Sequence, residues 1–268
     1  MDAKTDRMPV VFVGHGNPMN AIEENDFSRR WRGLASELPR PTAILCISAH
    51  WETEGTRVTA METSRTIHDF GGFPEELYAV RYPAPGSSPL ARETRGAVKK
   101  TAVGLDTEWG LDHGCWSVLK QMYPKADVPV VQLSLDRTQP ASHHYELAKE
   151  LVPLRHTGVL ILGSGNMVHN LRRIAYAKNG SDPFTTPFGF DWALEANALF
   201  KKLIAENRHE ELVEYRSLGS AVQLAVPTPE HYLPMLYALA LKQSDEPLSL
   251  FNDAPVAGSL TMTSFRIG

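Results

Sequence analysis

The sequence has few of the features that mark secreted, nucleic-acid-binding or membrane-spanning proteins. Only two of its 268 residues are cysteines, Cys46 and Cys115, so it has neither a disulfide framework nor a CxxC zinc motif. The formal net charge is −4 at pH 7, and the sequence lacks the basic stripe that nucleic-acid binding requires. No apolar run approaches transmembrane length. We therefore expect a cytoplasmic protein that binds neither nucleic acid nor membranes.

The first residues are polar and differ from the rest of the chain. Residues 1–7 read MDAKTDR and have no apolar signal-peptide core behind them. We predict a disordered tail over residues 1–8, followed by one domain over residues 9–268. A chain of this length can bury a large core as a single α/β domain.

Strand and helix patterns alternate along that domain. Five nearly continuous apolar runs predict strands that are buried on both faces. They cover residues 9–13, 43–48, 128–133, 159–163 and 221–226. Amphipathic stretches predict helices over 20–38 and 190–207, and another with Ser88 as N-cap and Pro89 at its first position. Residues 258–267 predict a closing strand, which we expect to be antiparallel. The pattern favours a three-layer α/β/α single domain with a mixed, largely parallel central sheet.

Four histidines each follow one of these apolar runs. They are His15 after 10–13, His50 after 44–47, His169 after 159–162 and His231 after 221–226. In an open α/β sheet, the loops at the carboxyl ends of the strands converge on one crevice, where ligands bind. Because imidazole is the commonest side-chain ligand of zinc, iron and copper, the four histidines predict a metal centre.

The first two histidines lie in short motifs that also have simpler explanations. His15 lies in GHGNP, where two glycines and a proline force a tight turn and let the backbone approach a bound group. A turn with an incidental histidine has the same pattern. His50 lies in SAHW, which suits either a metal ligand or a capped core residue.

His169 lies in the glycine-rich segment GSGNMVHNL, between a predicted strand and a predicted helix. Backbone amides in such a segment can bind an anion, which makes a phosphate site the competing interpretation. The segment lacks the lysine of a P-loop and the GxGxxG spacing of a dinucleotide site. His169 is therefore expected to bind metal or to move protons.

His231 lies in PTPEHYLP, which predicts a helix start with Thr228 as N-cap, Pro229 at the first position and His231 in the first turn. The helix dipole at that place disfavours imidazolium and keeps His231 available to a metal. Glu230 is a competing ligand. Adjacent residues on a helix point about 100° apart, so Glu230 and His231 are not expected to bind one ion together.

A fifth candidate is His113 in LDHGCW, next to Asp112. We interpret it as a loop histidine on the rim of the pocket. The remaining five histidines lie in polar or helical contexts and are expected at the surface. They are His68, His143, His144, His156 and His209.

Together, GHGNP, SAHW, LDHGCW, GSGNMVHNL and PTPEHYLP occur in this order through most of the chain. The set resembles the class III extradiol ring-cleavage dioxygenases, specifically the 4,5-DOPA dioxygenase-like branch. The resemblance implies an α/β enzyme that inserts both atoms of O₂ into a catechol ring next to its two hydroxyls. It implies that His15, His50 and His231 hold a divalent metal, Fe(II) or Zn(II), with His169 lining the site or acting as a fourth ligand.

Ring cleavage of this kind requires proton transfer and a slot for a planar ring. Neutral His169 and His113 beside the metal suit the proton transfers. Trp51, Trp116 and Tyr232 are expected to wall the slot. The usual facial triad has two histidines and a carboxylate, so the third ligand here is His231 or Glu230. The expected partners are a small-molecule catechol and O₂, and the expected assembly is a monomer or homodimer.

Two other classes of protein remain open. In a zinc hydrolase, the histidines would activate water and Glu230 would act as the base. The second alternative is a non-catalytic protein with a closed, structural metal site. Structural zinc sites favour cysteine and close spacings, so this class is ranked last.

Overall fold

An eight-stranded mixed sheet organises the fold of the computed structural model, which describes residues 7–176 and 182–268. The strands of this sheet are β1 (Val10–Gly14), β2 (Ala43–Thr53), β3 (Thr56–Thr59), β4 (Val103–Asp106), β5 (Val130–Asp136), β6 (Val159–Gly165), β7 (Leu248–Phe251) and β10 (Ser264–Ile267). A small second sheet pairs β8 (Pro255–Val256) with β9 (Leu260–Thr261). The main sheet has the order β4-β3-β5-β2-β6-β1-β10-β7.

Helices cover both faces of the main sheet. They are α1 (Asp26–Glu37), α2 (Glu75–Tyr78), α3 (Ser88–Ala97), α4 (His113–Met122), α5 (Ala141–Lys149), α6 (Val152–Arg155), α7 (Asp191–Ala205), α8 (His209–Val213), α9 (Ser220–Ala225) and α10 (Leu233–Ala240). Short 3₁₀ helices cover Pro18–Ala21, Leu171–Arg173 and Tyr215–Ser217.

The strand side chains alternate between two separate cores. Phe12 of β1 packs into the core that contains residues of α7 and α10, whereas Val11 packs into the core that contains residues of α1 and α4. This period of two is the expected pattern for a strand buried on both faces. The predicted three-layer α/β/α architecture with a mixed sheet is confirmed.

The centre of the sheet is parallel and its ends are mixed. Strands β5, β2, β6 and β1 run parallel to one another, and β10 pairs antiparallel with β1, as expected for the closing strand. The carboxyl ends of β1, β2 and β6 are therefore neighbours. The register between β2 and β5 shifts between Ile47 and Glu52, and such an irregularity re-aims the side chains around it. His50 lies within this stretch of β2.

The strand predicted over 221–226 is wrong, because those residues form most of helix α9. Gly219, with φ of +97°, precedes the helix, and burial then follows a helical period in which Gln223 and Leu224 are exposed. His231 thus follows a helix and a turn rather than a strand.

Three predicted boundaries also shift. Asn25 caps α1, so residues 20–25 precede that helix. The N-cap of α3 is Ser87 rather than Ser88, because the Ser87 hydroxyl accepts a hydrogen bond from the backbone N–H of Leu90. Helix α10 begins at Leu233, since the chain at Thr228 forms a turn before the helix. His231 therefore lies before the helix and outside its first turn.

The structure describes two residues of the predicted disordered tail, Arg7 and Met8. Met8 is buried, and its backbone exchanges hydrogen bonds with Arg155 at 2.9 and 2.8 Å. Arg7 lies 2.5 Å from Asp245. Residues 7 and 8 are thus held by contacts with the domain, and the rest of the predicted tail, residues 1–6, lies outside the described residues.

Candidate metal centre

Five histidines meet in one cavity at the carboxyl edge of the parallel strands. The cavity has a volume of about 350 Å³. The histidines that line it are His15, His50, His113, His169 and His231. The convergence predicted for the four strand-associated histidines is therefore present, and His113 joins them. His113 is the first residue of α4 and is buried, rather than a loop residue on the rim.

His15 is placed by the turn that follows β1. Its backbone N–H donates a hydrogen bond to the carbonyl of Gly165, at the end of β6, and its carbonyl accepts one from the Asn20 side chain. A Cβ on Gly14 would lie 2.7 Å from the backbone of Met262, and Gly16 has φ of +61°. Both glycines of GHGNP are thus required by the backbone geometry.

His50 lies between His15 and His113. The Nε2 atoms of His50 and His15 are 3.2 Å apart, and the rings of His50 and His113 have centres 3.9 Å apart. Gly114 makes this approach possible, because a Cβ on that residue would lie 2.8 Å from Cδ2 of His50. The glycine of LDHGCW therefore provides space for a neighbouring imidazole.

His231 and His169 form the opposite side of the cavity. Their rings are parallel, with centres 3.5 Å apart. The carbonyl of His231 accepts a hydrogen bond from the backbone N–H of Asn166, and His169 donates its backbone N–H to Ala225. These bonds fix both histidines against the end of β6 and the end of α9.

In two of these rings, those of His15 and His231, the hydrogen-bond partners determine which ring nitrogen carries the proton. The Ser164 hydroxyl donates to the carbonyl of Gly114 and lies 3.0 Å from Nδ1 of His15. Because that hydroxyl has only one proton to donate, it accepts the proton of Nδ1. Nδ1 of His231 lies 3.1 Å from the Glu230 carboxylate, which only accepts. Nε2 of both His15 and His231 is therefore unprotonated, which is the form that binds a cation.

A further carboxylate, Asp69, lies beside the other two rings. One of its oxygens is 3.3 Å from Nδ1 of His50 and 3.0 Å from Nδ1 of His113. Its second oxygen accepts the backbone N–H of His113 at 2.9 Å. Burial alone would raise the pKa of Asp69, but its contacts with His113 and His50 lower that pKa below its ordinary value.

Burial favours the neutral form of four of these imidazoles. Desolvation, followed by neighbouring histidines, lowers the pKa of His15, His50 and His231 well below the ordinary value of 6.5. Desolvation and then His113 lower the pKa of His169 to about 4. Neutral imidazoles are the form that binds a divalent cation. The protonation of these four histidines thus fits a metal ion.

The donor atoms form two groups. One nitrogen from each of His15, His50 and His113 lies within 4.8 Å of the others, and the same limit holds for His169, Glu230 and His231. Glu230 contacts Nδ1 of His231. This contact places the carboxylate behind the imidazole of His231.

The aromatic residues predicted to wall the substrate slot do not line the cavity. Trp51 is buried and stacks on Trp109. Trp116 is buried and donates its indole N–H to the carbonyl of Ile67, and Tyr232 is buried with its hydroxyl bonded to Leu212. The apolar wall is formed instead by Phe70, Phe73, Leu171, Ile174, Phe184 and Leu260.

Four of these six residues lie in loops that have no regular apolar period, and Leu171 and Leu260 lie in a short 3₁₀ helix and in β9. The glycine-rich stretch around His68, residues 67–73, was the available signal for Asp69, Phe70 and Phe73. Of the five histidines expected at the surface, His156 is exposed and His144 is fully buried. The other three are half-buried.

Comparison with known families decides the class of this site. Residues 8–255 match the family model described as the catalytic LigB subunit of aromatic ring-opening dioxygenase. The chain belongs to the LigB family. It is a class III extradiol ring-cleavage dioxygenase, an oxidoreductase that acts on a small molecule and O₂ and depends on a metal. This assignment favours oxygen chemistry over the hydrolase alternative.

The similarity to known proteins covers nearly the whole chain. The 4,5-DOPA dioxygenase extradiol of Escherichia coli K12 is 46% identical over 98% of this chain and 95% of its own. The protein of the same name from Beta vulgaris is 35% identical, covering 95% and 94%. A crystal structure of an uncharacterised protein from Escherichia coli K12 superposes with a TM-score of 0.81 at 40% identity, covering 98% of this chain and 100% of that one.

The resemblance drawn from the five histidine motifs is thus confirmed. Within the described part of the chain, none of the helices has both the length and the apolar character needed to cross a membrane.

Proposed function

We propose that this LigB-family enzyme cleaves a catechol of the DOPA type beside its two hydroxyls, with a divalent metal bound to Nε2 of His15, His50 and His231. The observation that carries the proposal is the arrangement of these three rings. Their centres form a nearly equilateral triangle with sides of 5.0, 5.3 and 5.0 Å. The names of the similar proteins from Escherichia coli and Beta vulgaris support the choice of substrate.

The spacing of these ring centres fits a shared ion, although the donor atom of His231 groups with those of His169 and Glu230 rather than with those of His15 and His50. Imidazoles that bind one ion through Nε2 at about 2.0–2.1 Å have ring centres about 4.5–5.3 Å apart. The 3.9 Å between His50 and His113 is shorter than that range. We therefore assign His113 to a place beside the metal rather than to its ligand set, and Glu230 to the support of His231.

The proposed metal is Fe(II), and Zn(II) is a competitor for the same nitrogens. When bound, Fe(II) supplies the electron-transfer chemistry that lets catechol react with O₂, which Zn(II) cannot supply because it has no redox chemistry. Three neutral imidazoles accept either ion. Activity should therefore distinguish the two metals where binding does not.

His169 and His113 are the proposed proton-transfer groups. Both rings line the cavity, one beside His231 and the other beside His50. The pKa of His169, at about 4, makes it neutral at pH 7 and able to take a proton from a catechol hydroxyl. The same histidine can return that proton when the ring opens.

The apolar residues hold the ring and limit access of water. Phe70 and Phe73 contact each other edge to face, and Phe184 also lines the cavity. A cavity of about 350 Å³ is at the small end of the range for ligand pockets. It suits one catechol with a short substituent.

Anaerobic loading of the metal-free enzyme with Fe(II) or Zn(II), followed by O₂-uptake measurement, tests this function. The Fe(II) form should consume O₂ with DOPA or 4-methylcatechol and form a yellow semialdehyde product. Tyrosine should cause no uptake, since a monophenol cannot chelate through two adjacent hydroxyls. The Zn(II) form is the matched control and should be inactive. Equal uptake with tyrosine and DOPA, or none with any catechol, would contradict the proposal.

We further propose that residues 9–268 act as a single catalytic domain, in a cytoplasmic monomer or homodimer. The two cysteines, Cys46 and Cys115, are both buried free thiols in the structure, which supports a reducing compartment. Analytical ultracentrifugation of the metal-loaded enzyme would determine its oligomeric state.

A further inference from the structure

Asp69 has a position that neither the sequence motifs nor the family assignment explains. It belongs to the loop between β3 and α2, yet its carboxylate lies within 3.3 Å of Nδ1 of both His50 and His113. The same carboxylate accepts the backbone N–H of His113, the first residue of α4. One side chain thus contacts two imidazoles and the start of the helix that carries one of them.

The loop that presents Asp69 is anchored on both sides. The backbone N–H of Ile67 donates to the carbonyl of Leu111 at 2.8 Å, and the indole N–H of Trp116 donates to the carbonyl of Ile67 at 2.7 Å. The ring of Phe70 packs edge to face on His113. These contacts hold the carboxylate in place before any ligand arrives.

The tautomer of His50 decides whether the proposed metal site is open. Nε2 of His15 is unprotonated and lies 3.2 Å from Nε2 of His50. If Nε2 of His50 carried the proton, it would donate to His15, and that internal hydrogen bond would occupy both nitrogens. The metal needs the other tautomer, in which the proton of His50 is on Nδ1.

We propose that Asp69 is a positioning residue that holds both His50 and His113 in the Nδ1–H tautomer. A carboxylate oxygen only accepts, and it would repel the lone pair of an unprotonated Nδ1. Nε2 of His50 is thereby kept free for the metal. Nε2 of His113 is kept free to accept a proton in the cavity. The inference rests on the proposed metal site for His50 and on the proposed proton transfer for His113.

Histidine ¹⁵N–¹H correlation NMR of the full-length chain, stripped of metal with a chelator and then loaded with Zn(II), tests this directly. In the metal-free wild type, both His50 and His113 should have the Nδ1–H pattern. In Asp69→Asn, an amide NH₂ group that donates can take the place of the carboxylate oxygen that accepts. His50 should therefore change to the Nε2–H pattern and donate a hydrogen bond to His15. Asp69→Ala should give the same change and serves if the first variant does not fold.

Zinc affinity is the second measurement. Loss of a carboxylate behind a metal-binding histidine weakens metal affinity by about 10–100-fold, and we expect that range for Asp69→Asn. Glu230→Gln is the matched control for the tautomers: it should alter the tautomer of His231 and leave those of His50 and His113 unchanged.

Two results would overturn the role of Asp69. They are retention of the Nδ1–H pattern by both rings in the Asp69 variants, and a change in zinc affinity of less than about threefold. Neither readout depends on ring cleavage. A wild-type enzyme that bound zinc with these tautomers but cleaved no catechol would therefore contradict the proposed function and leave this inference standing.

Discussion

At the scale of single residues, His169 provides the sharpest test of the proposed chemistry. Its ring lies parallel to that of His231 at 3.5 Å, outside the triangle of His15, His50 and His231. His169→Ala should therefore lower kcat by about two to four orders of magnitude while most of the metal stays bound. Steady-state kinetics and metal analysis of the same sample would measure both. His15→Ala, the control, should lose the metal, and an equal loss from His169→Ala would identify His169 as a ligand.

The sequence predicted the site histidines better than the residues around them. His15 directly follows β1 and His50 lies in the last part of β2. The burial of both strands has a clear pattern, so the positions of the two histidines in the sheet could be predicted. Trp51 adjoins His50, but neighbouring residues on a strand point to opposite faces, and Trp51 packs on Trp109 instead. Asp69 lies in a loop whose sequence has no regular apolar period, so only the tertiary structure could place it beside the histidines.

At the scale of elements, the start of α4 links helix stability to the site. Asp112 caps this helix through the N–H of Cys115 and also accepts hydrogen bonds from Ser48 and Gln132. Asp112→Ala removes a cap and leaves buried donors without a partner, so we expect a loss of about 2–4 kcal/mol. Urea unfolding of the metal-free protein would measure it. Asn25→Ala, at the cap of α1, should cost about 1 kcal/mol; an equal loss in both variants would contradict the role of the buried network.

Elements buried on both faces were predicted well and short apolar segments were not. The runs that became β1, β2, β5 and β6 are rich in branched aliphatic residues and fit a parallel sheet. The run over 221–226 is apolar except for Gln223, and a run that short does not distinguish a strand from a buried helix. In the structure this segment is a helix that packs against α7.

At the scale of the whole molecule, buried neutral histidines make the fold sensitive to acid. Burial lowers the pKa of His144 from 6.5 to about 4. Above about pH 6.5, His144 is neutral in both the folded and the unfolded chain. Between about pH 6.5 and 4, it is protonated only in the unfolded chain. His144 alone should therefore lower the free energy of unfolding by about 3 kcal/mol over this interval.

His144→Gln should remove that part of the pH dependence in urea unfolding of the metal-free protein. His156→Gln, at an exposed histidine, is the matched control and should leave the dependence as in the wild type. If the free energy of unfolding of His144→Gln had the same slope against pH as the wild type between pH 4 and 6.5, His144 would not contribute to the acid sensitivity.

The five cavity histidines come from places spread along the chain between positions 15 and 231. During synthesis, a ribosome that has released only the first half of the domain has exposed His15, His50 and His113, but neither His169 nor His231. Their convergence also requires β6 to lie between β1 and β2. A metal ion captured by the nascent chain would therefore meet an incomplete set of ligands. With the proposed ligand set, we therefore expect metal to be loaded only after the domain has folded.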